Sequence, residues 1–180
     1  VRVRSQRMVS FAERHLAVMT YEVTMLDADA PVVVSSQLLN RPDGQDEYHV
    51  RAAAMGEGFD PRKSETLTDR VLEPRSHWAG DGRYVLSYRA KASGMTLSVA
   101  ADHTIDTENS FEERTLVEED LAKHVYRIDA KQGQSITITK VVTYHSSRGG
   151  PATELGDRCR RTLDRVAGQG VEQPDRKSGE

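Results

Sequence analysis

The clearest strand pattern in the chain is "RYVLSYRAKASGMTLSVAADH", residues 83–103. Two alternating runs flank a short "ASG" segment. An apolar residue at every second position is typical of a half-buried β-strand, and the Ser93-Gly94 pair is typical of a tight turn. The stretch therefore predicts an antiparallel β-hairpin. Each strand presents one apolar face, formed by Tyr84, Leu86 and Tyr88 in the first and by Met95, Leu97, Val99 and Ala101 in the second.

The same alternation continues on both sides of this hairpin. Further strands are expected at 1–9, 17–25, 31–39, 121–129 and 135–147. The last two, "LAKHVYRID" and "SITITKVVTYHSS", predict a second hairpin joined by "AKQGQ".

The stretch from Asn40 to Gly82 is polar, and only "HVRAAAM" and "RVLEP" within it are candidates for strands. Seven to nine strands with short turns and no βαβ rhythm are typical of two antiparallel sheets packed face to face. The fold class predicted for residues 1–150 is therefore mainly β, an antiparallel β-sandwich.

One segment, residues 151–168, has helical periodicity instead. Pro151 suits a first helical turn, and Gly168 suits a C-terminal stop. The predicted helix has one apolar stripe, made of Leu155, Cys159, Leu163 and Val166. That stripe covers either the sandwich itself or a further domain outside this chain. Residues 169–180 have almost nothing to bury and are expected to be disordered.

Composition sets limits on the class of protein. The net charge is −3, the pI is near 6.1 and the basic residues are scattered, so nucleic acid is not expected as a partner. The single cysteine, Cys159, gives no sign of a disulfide, and no apolar run suggests a membrane partner. Cytoplasm is the expected location. The chain opens inside a strand pattern without a starting Met, so we expect the sandwich to be truncated at its N-terminus.

The first candidate for chemistry is "AADHTID", in which Asp102, His103 and Asp106 place two carboxylates around an imidazole. A metal or acid–base site is one interpretation. However, Asp102 and His103 point to opposite faces of a strand, and no second His or Cys completes a ligand set. The favoured interpretation is a polar strand end that enters a turn, so no metal site is predicted.

The second candidate is the loop-like stretch "SHWAGDG", with His77 beside Trp78, the single tryptophan. Aromatic rings suit the C–H faces of sugars, so these two residues are the candidates for substrate binding. A buried anchor for the loop is the alternative.

Catalytic motifs are not found. Nucleophile elbows, phosphate-binding glycine loops and zinc-binding helix motifs are missing, so no catalytic residue and no cofactor are predicted. The acidic run "NSFEERTLVEED" is interpreted as a solvated loop. Glu13, Arg14 and His15 form either a substrate-facing cluster or a solvated crossover between strands.

Three blocks of sequence carry a resemblance to a known family. They are "RVRSQRMVSFAERHLAVMTYEVTMLDADAPVVVSSQL" (2–38), "DPRKSETLTDRVLEP" (60–74) with "DGRYVLSYRAKASGMTLSVAADHTID" (81–106), and "HVYRIDAKQGQSITITKVVTYHSSR" (124–148). In this order they resemble the N-terminal domain of glycoside hydrolase family 65. The resemblance covers most of residues 1–150.

The resemblance implies an N-terminal β-supersandwich of the galactose-mutarotase-like type, followed by a linker helix. The family's enzymes are inverting phosphorylases of maltose, trehalose, kojibiose and nigerose, with some hydrolases. They carry the general-acid Glu and the phosphate-binding residues on an (α/α)6 barrel. None of those residues corresponds to a position here. The implied partners are that catalytic barrel and, for the parent enzyme, an α-glucoside disaccharide with inorganic phosphate as co-substrate.

Three functions therefore stay open at this point. The first is a non-catalytic N-terminal domain of a family 65 enzyme, whose polar sheet face contacts the barrel or a second subunit through Arg2, Arg4, Gln6, Thr20, Glu22 and Thr24. The second is a stand-alone carbohydrate-binding sandwich, with Trp78, Tyr84, Tyr88 or Tyr144 stacking on sugars. The third is a purely structural or homo-oligomerising domain.

Overall fold

The structure is a computed structural model and describes residues 1–40 and 70–169. Within these ranges the chain forms nine strands and then one helix. Their bounds are β1 (Arg2–Val9), β2 (Leu16–Thr24), β3 (Ala30–Leu39), β4 (Leu72–Gly80), β5 (Arg83–Ala90), β6 (Thr96–Thr107), β7 (Phe111–Val117), β8 (Leu121–Ala130), β9 (Ser135–Ser147) and α1 (Ala152–Gln169). No helix in this part of the chain has the length and apolar character needed to cross a membrane.

The strands form two antiparallel sheets packed face to face. The larger sheet has the order β1-β2-β9-β6-β5-β4, and the smaller has the order β3-β8-β7. This confirms the predicted β-sandwich. The hairpin of residues 83–103 is also confirmed, since β5 pairs with β6 from Tyr84↔Ala101 to Arg89↔Thr96. Gly94 in its turn has a φ of 68°, a left-handed conformation that glycine adopts without a steric cost.

The core fills the space between the two sheets in two adjoining clusters. One cluster lies under β5 and contains Tyr84, Leu86 and Tyr88, the residues that the alternation placed on one face. The other is built from the aliphatic residues of β8 and β9, around Tyr126, Ile128 and Ile136. Both clusters combine side chains of the two sheets, so burial of apolar surface holds the sheets together.

Six strands face three, so the smaller sheet does not cover all of the larger one. On β1 and β2, side chains of the inner face stay partly accessible. Val3 is 52 % exposed, Met19 39 % and Tyr21 38 %. This end of the larger sheet is therefore open on both faces.

Helix α1 lies on the outer face of the larger sheet, against β5, β6 and β9. All four residues of the predicted apolar stripe are buried there, beside Val85 and Ala100. Gly156 faces β5 in this contact, and a Cβ at that position would lie in van der Waals contact with Val85, 3.4 Å from its Cγ1. Of the two open interpretations of the stripe, the structure supports the one in which the helix covers its own sandwich.

Three local predictions are wrong. First, β8 and β9 do not form a hairpin. β8 pairs with β3 and β7, whereas β9 pairs with β2 and β6 in the other sheet. The connecting segment "AKQGQ" is short enough for a hairpin, but here it carries the chain across the sandwich, with Gly133 at a φ of 80°.

Second, His77 and Trp78 are not in a loop but in strand β4. The connection from β4 to β5 is only Asp81-Gly82, and both residues have a positive φ. An Asp-Gly pair is a strong signal for a two-residue hairpin turn. The alternation of β4 is obscured because its register shifts between Pro74 and Ser76.

Third, the acidic run contains an edge strand, β7, rather than a continuous loop. Glu112 and Glu113 are both exposed although they are adjacent in the strand, so the period of two is hidden. The candidate strand "HVRAAAM" and the tail from residue 170 onward lie outside the described residues. Strand β4 extends the predicted "RVLEP" strand to Gly80.

Candidate functional site

A groove lies open on the outer face of the larger sheet, beside α1. It has a volume of about 980 Å³. Its floor is formed by β1, β2, β9 and β6, which are consecutive in the sheet, and its wall by the second half of α1. Strands lie about 4.8 Å apart, so the floor is roughly 14 Å wide. We call this feature the helix-side groove.

Strand register arranges the floor of the groove in three rows of facing side chains. The row next to α1 is mainly apolar and joins Met8, Val18, Val141 and Asp102. Val141 packs against the buried cluster that includes Cys159 and Leu163 of the helix. This row therefore continues the apolar contact between helix and sheet beyond the edge of the helix.

The second row carries hydroxyl and amide groups. It joins Gln6, Thr20, Thr139 and Thr104 across the four strands. β-branched threonines are stiff and suit a pleated surface, so their hydroxyl groups are held in a regular array.

The third row lies farthest from the helix and is charged. It joins Arg4, Glu22, Thr137 and Asp106. The groove thus changes from apolar beside α1 to charged at its far side. An apolar centre with a polar rim is the usual composition of a protein–protein contact surface.

The predicted polar face corresponds in large part to this groove. Arg4, Gln6, Thr20 and Glu22 line it, as expected for alternate positions on two paired strands. Thr24 is 3 % exposed, and Arg2 lies opposite it at the end of β1. The threonines of β6 and β9 were not predicted as part of the face. Their signal was present in "SITITK", where threonine alternates with buried isoleucine.

Asp102 anchors α1 at the apolar end of the groove. Arg83 Nε donates to Asp102 Oδ2 at 2.7 Å, and the same guanidinium also pairs with Asp164 of the helix. Arg83 therefore links β5, β6 and α1, so Asp102 already has a structural partner. Deeper under the helix, burial raises the pKa of the Cys159 thiol to about 11, and this thiol donates to the carbonyl of Ser98.

Trp78 lies on the helix side of β4, where it is 36 % exposed and contacts Arg160 of α1. The guanidinium carbon of Arg160 is 4.3 Å from the ring centroid. On the other side, a Cβ added to Gly80 would be 2.7 Å from Cζ2 of the ring. Its neighbour His77 is exposed and, one residue away along the strand, points to the opposite face. The two candidate binding residues therefore do not share a surface, and sugar binding by either stays a prediction.

Removal of the Arg160 side chain tests this arrangement. We expect Arg160→Ala to shift the emission maximum of Trp78 to longer wavelength, since one ring face becomes hydrated. We expect a stability cost of about 0.5–1 kcal/mol, the usual size of an exposed cation–π contact. Arg161→Ala is the matched control, because Arg161 is an exposed helix neighbour without this contact. Equal emission from both variants would contradict the contact.

The other aromatic candidates are also separated from one another. Tyr84 is fully buried and Tyr88 is 4 % exposed, so neither ring is available to a sugar. Tyr144 is 45 % exposed, but it lies on the face of β9 opposite to Thr143, which bonds to α1. The tyrosines and Trp78 therefore form no common aromatic platform.

His103 and Asp102 lie in the middle of β6, not at a strand end as predicted, and they point to opposite faces. His103 enters the core, where its ring stacks on His124 of β8 with centroids 4.9 Å apart. His103 Nε2 lies 2.8 Å from Ser36 Oγ, and His124 Nδ1 lies 2.7 Å from Thr115 Oγ1. We call these two residues the histidine pair. It joins both sheets.

Burial controls the charge of the histidine pair. It lowers the pKa of His103 to about 3, and charge repulsion from His124 when that ring is protonated, and from Lys140, lowers it further. Burial also lowers the pKa of His124, against the opposing effect of Glu113, and lowers the pKa of Lys140 to about 8. Both imidazoles are therefore neutral at pH 7. Among residues 1–40 and 70–169 no group of three or more His, Cys, Asp or Glu side chains has a geometry that could hold a metal ion.

The segment with Glu13, Arg14 and His15 is a turn fastened to the rest of the domain. Glu13 Oε2 accepts from Arg165 of α1 at 2.7 Å. The carbonyl of Arg14 accepts from the Tyr144 hydroxyl at 3.0 Å, and the ring of His15 lies 4.1 Å from that of His145. These contacts connect the β1–β2 turn to β9 and to the helix.

Comparison with known proteins gives a consistent result. The family described as "Glycosyl hydrolase family 65, N-terminal domain" matches residues 1–176. A protein of Mycobacterium leprae named an uncharacterized glycosyl hydrolase is 31 % identical over 154 residues, and two from Mycobacterium tuberculosis with the same description are 29 % identical. Each alignment covers 84 % of this chain and 18 % of the relative.

Solved structures share this fold, and one of them aligns with most of this chain. It is named "Putative kojibiose phosphorylase from human microbiome" and matches with a TM-score of 0.67 at 10 % identity. The alignment covers 94 % of this chain and 19 % of that one. The chain thus spans about a fifth of the length of the proteins that it matches.

Proposed function

Since the chain belongs to glycosyl hydrolase family 65 as its N-terminal domain, we propose that it is a non-catalytic domain of an enzyme that acts on α-glucosidic disaccharides. The domain's partner is the catalytic (α/α)6 barrel of the longer protein. The relatives are about five times longer than the part that aligns, which supports a role within a larger protein.

The observation that carries this proposal is the helix-side groove. α1 covers the side of the outer face formed by β5, β6 and β9. The apolar row beside it continues through the half-buried Val141 and the buried Val18 to Met8, which is 42 % exposed. A catalytic domain seated there would bury Met8 and the accessible part of Val141 and would contact the hydroxyl and charged rows as the rim of the interface. The domain would then position the barrel rather than contact the substrate.

The reaction proposed for the parent enzyme is inversion at the anomeric carbon. Phosphate or water attacks that carbon, and a carboxylic acid of the barrel protonates the leaving oxygen. Inorganic phosphate is a co-substrate in this scheme, and the domain described here needs no cofactor. Maltose, trehalose and kojibiose are all substrates to test.

We expect the isolated chain to be inactive. Incubated with maltose, trehalose or kojibiose and phosphate, it should release no glucose 1-phosphate, and without phosphate it should release no glucose. Product would be measured by a coupled enzymatic assay, with heat-denatured protein as the control. Turnover above that control would refute the non-catalytic assignment.

Calorimetric titration with the same three disaccharides separates this proposal from a carbohydrate-binding module. We expect no saturable heat. Saturable binding that is lost in Trp78→Ala would instead favour the carbohydrate-binding alternative. Sedimentation of the chain would show whether it also self-associates, as the third possible role requires.

A further inference from the structure

The strand at the open end of the larger sheet has an unusual combination of features. All eight residues of β1 are exposed, and β1 is the last strand of its sheet. Its outer edge therefore carries backbone N–H and C=O groups that no neighbouring strand of the described part pairs. A long exposed edge of this kind is a template for the addition of another strand.

Both faces beside this edge are also incomplete. On the inner face, Val3 and Val9 of β1 stand next to Met19 and Tyr21 of β2, and all four are more than a third exposed. On the outer face, Met8 is 42 % exposed at the end of the apolar row of the groove. A strand added to β1 would cover apolar side chains on both faces.

The charge of β1 indicates what kind of strand it accepts. β1 contains Arg2, Arg4 and Arg7 and no acidic residue, although the whole chain has a net charge of −3. None of these three arginines has an ion pair in the part of the chain that the structure describes. Arg4 lies opposite Glu22 in the register, but the two side chains form no ion pair.

This charge disfavours a second copy of the chain as the occupant. Two β1 edges side by side would bring the arginines of both copies together without a carboxylate, and like charges on neighbouring strands are destabilising. Arg2 and Arg4 share one face of β1, and Arg7 points to the other. A strand with glutamate or aspartate opposite each of these three positions would pair with the arginines and complete the backbone ladder. We propose that the β1 edge binds an extended acidic segment by β-strand addition.

A tethered strand tests this proposal, because a tether gives the added strand a high effective concentration. The added strand has eight residues, with glutamate at the three positions opposite Arg2, Arg4 and Arg7 and valine or threonine elsewhere, and it is fused before Val1 through an Asn-Gly turn. The comparison protein has lysine at each glutamate position. Hydrogen–deuterium exchange of the β1 amides is followed by mass spectrometry at 50 and 500 mM NaCl.

We expect the acidic strand to slow exchange in β1 about ten- to a hundredfold more than the basic strand, as three exposed charge pairs allow. The difference should shrink at the higher salt concentration. Arg2→Glu, Arg4→Glu and Arg7→Glu combined should reverse the preference, so that the lysine strand protects. The matched control is Arg114→Glu, Arg127→Glu and Arg161→Glu, which changes the net charge equally at exposed positions away from β1.

The emission of Trp78 shows whether each variant is folded. If the variant with all three β1 arginines replaced does not fold, the comparison of the acidic and basic tethered strands on the unchanged domain still tests the proposal. Equal protection by the two strands, or protection by neither, would overturn the proposal. The control variant with three exchanged arginines away from β1 could also remove the preference for the acidic strand as completely as the β1 variant does. The preference would then be an effect of net charge, and the proposal would again be overturned.

Discussion

Leu163→Ala is expected to lower the free energy of unfolding by about 2–5 kcal/mol, the usual range for a buried leucine. Leu163 is 2 % exposed and packs with Val85, Ala100 and Cys159 between α1 and the sheet. Truncation leaves a cavity there, because the Arg83 and Arg160 contacts hold the helix in place on either side of it. Urea unfolding followed by circular dichroism measures the change.

The control for this variant is Leu26→Ala, since Leu26 is 46 % exposed and should cost much less. Trp78 emission adds a second readout, because Arg160 of the helix covers its ring. If α1 is an integral part of the domain, emission and circular dichroism should report the same transition. A loss below about 1 kcal/mol, with Trp78 emission changing first, would show that α1 detaches without unfolding the sandwich.

The sequence predicts those parts of the fold whose signals are local. The hairpin of β5 and β6 carries its own alternation and a glycine turn, and the stripe from Leu155 to Val166 has a helical period. Both are confirmed because each element buries a single face. β7 and β4 are edge strands, and their side chains are less buried than those of the central strands. The charged residues of β7 and the register shift in β4 hide the alternation, so the sequence does not predict these two strands in full.

The partners of each strand are not a local property. β8 and β9 are close in sequence and separated by a glycine-containing turn, yet they belong to different sheets. Which sheet each strand joins depends on which neighbouring strands bury Tyr126 and Ile138. Those neighbours come from distant parts of the sequence, so the packing of the whole sandwich determines the pairing. The helix-side groove could not be assembled from sequence for the same reason. Its rows exist only because β9 lies between β2 and β6, which brings Thr139 next to both Thr20 and Thr104.

The histidine pair leads to the second large effect, a loss of stability in weak acid. The folded-state pKa of His103 is about 3, whereas an imidazole in the unfolded chain has a pKa near 6.5. Between these values the unfolded state binds a proton that the folded state does not. The contribution of His103 is therefore fully present above pH 6.5 and decreases by about 1.4 kcal/mol per pH unit below it.

From pH 6.5 to pH 5 we expect His103 alone to remove about 2 kcal/mol. His124 adds to this loss, because burial lowers its pKa as well. Carboxylates with ordinary pKa values stay largely ionised over this range. Denaturant unfolding at several pH values gives the slope directly.

His103→Gln separates this effect from a general sensitivity to acid, since glutamine can keep a hydrogen bond to Ser36 but does not titrate. The variant should lose about 1.4 kcal/mol per pH unit from the slope between pH 6.5 and 5, whatever its stability at pH 7.5. His77→Gln, which removes an exposed imidazole from β4, is the matched control. If His103→Gln and the unchanged chain have equal slopes, the folded domain binds the His103 proton as readily as the unfolded chain does. The two imidazoles would then not be a neutral link between the sheets.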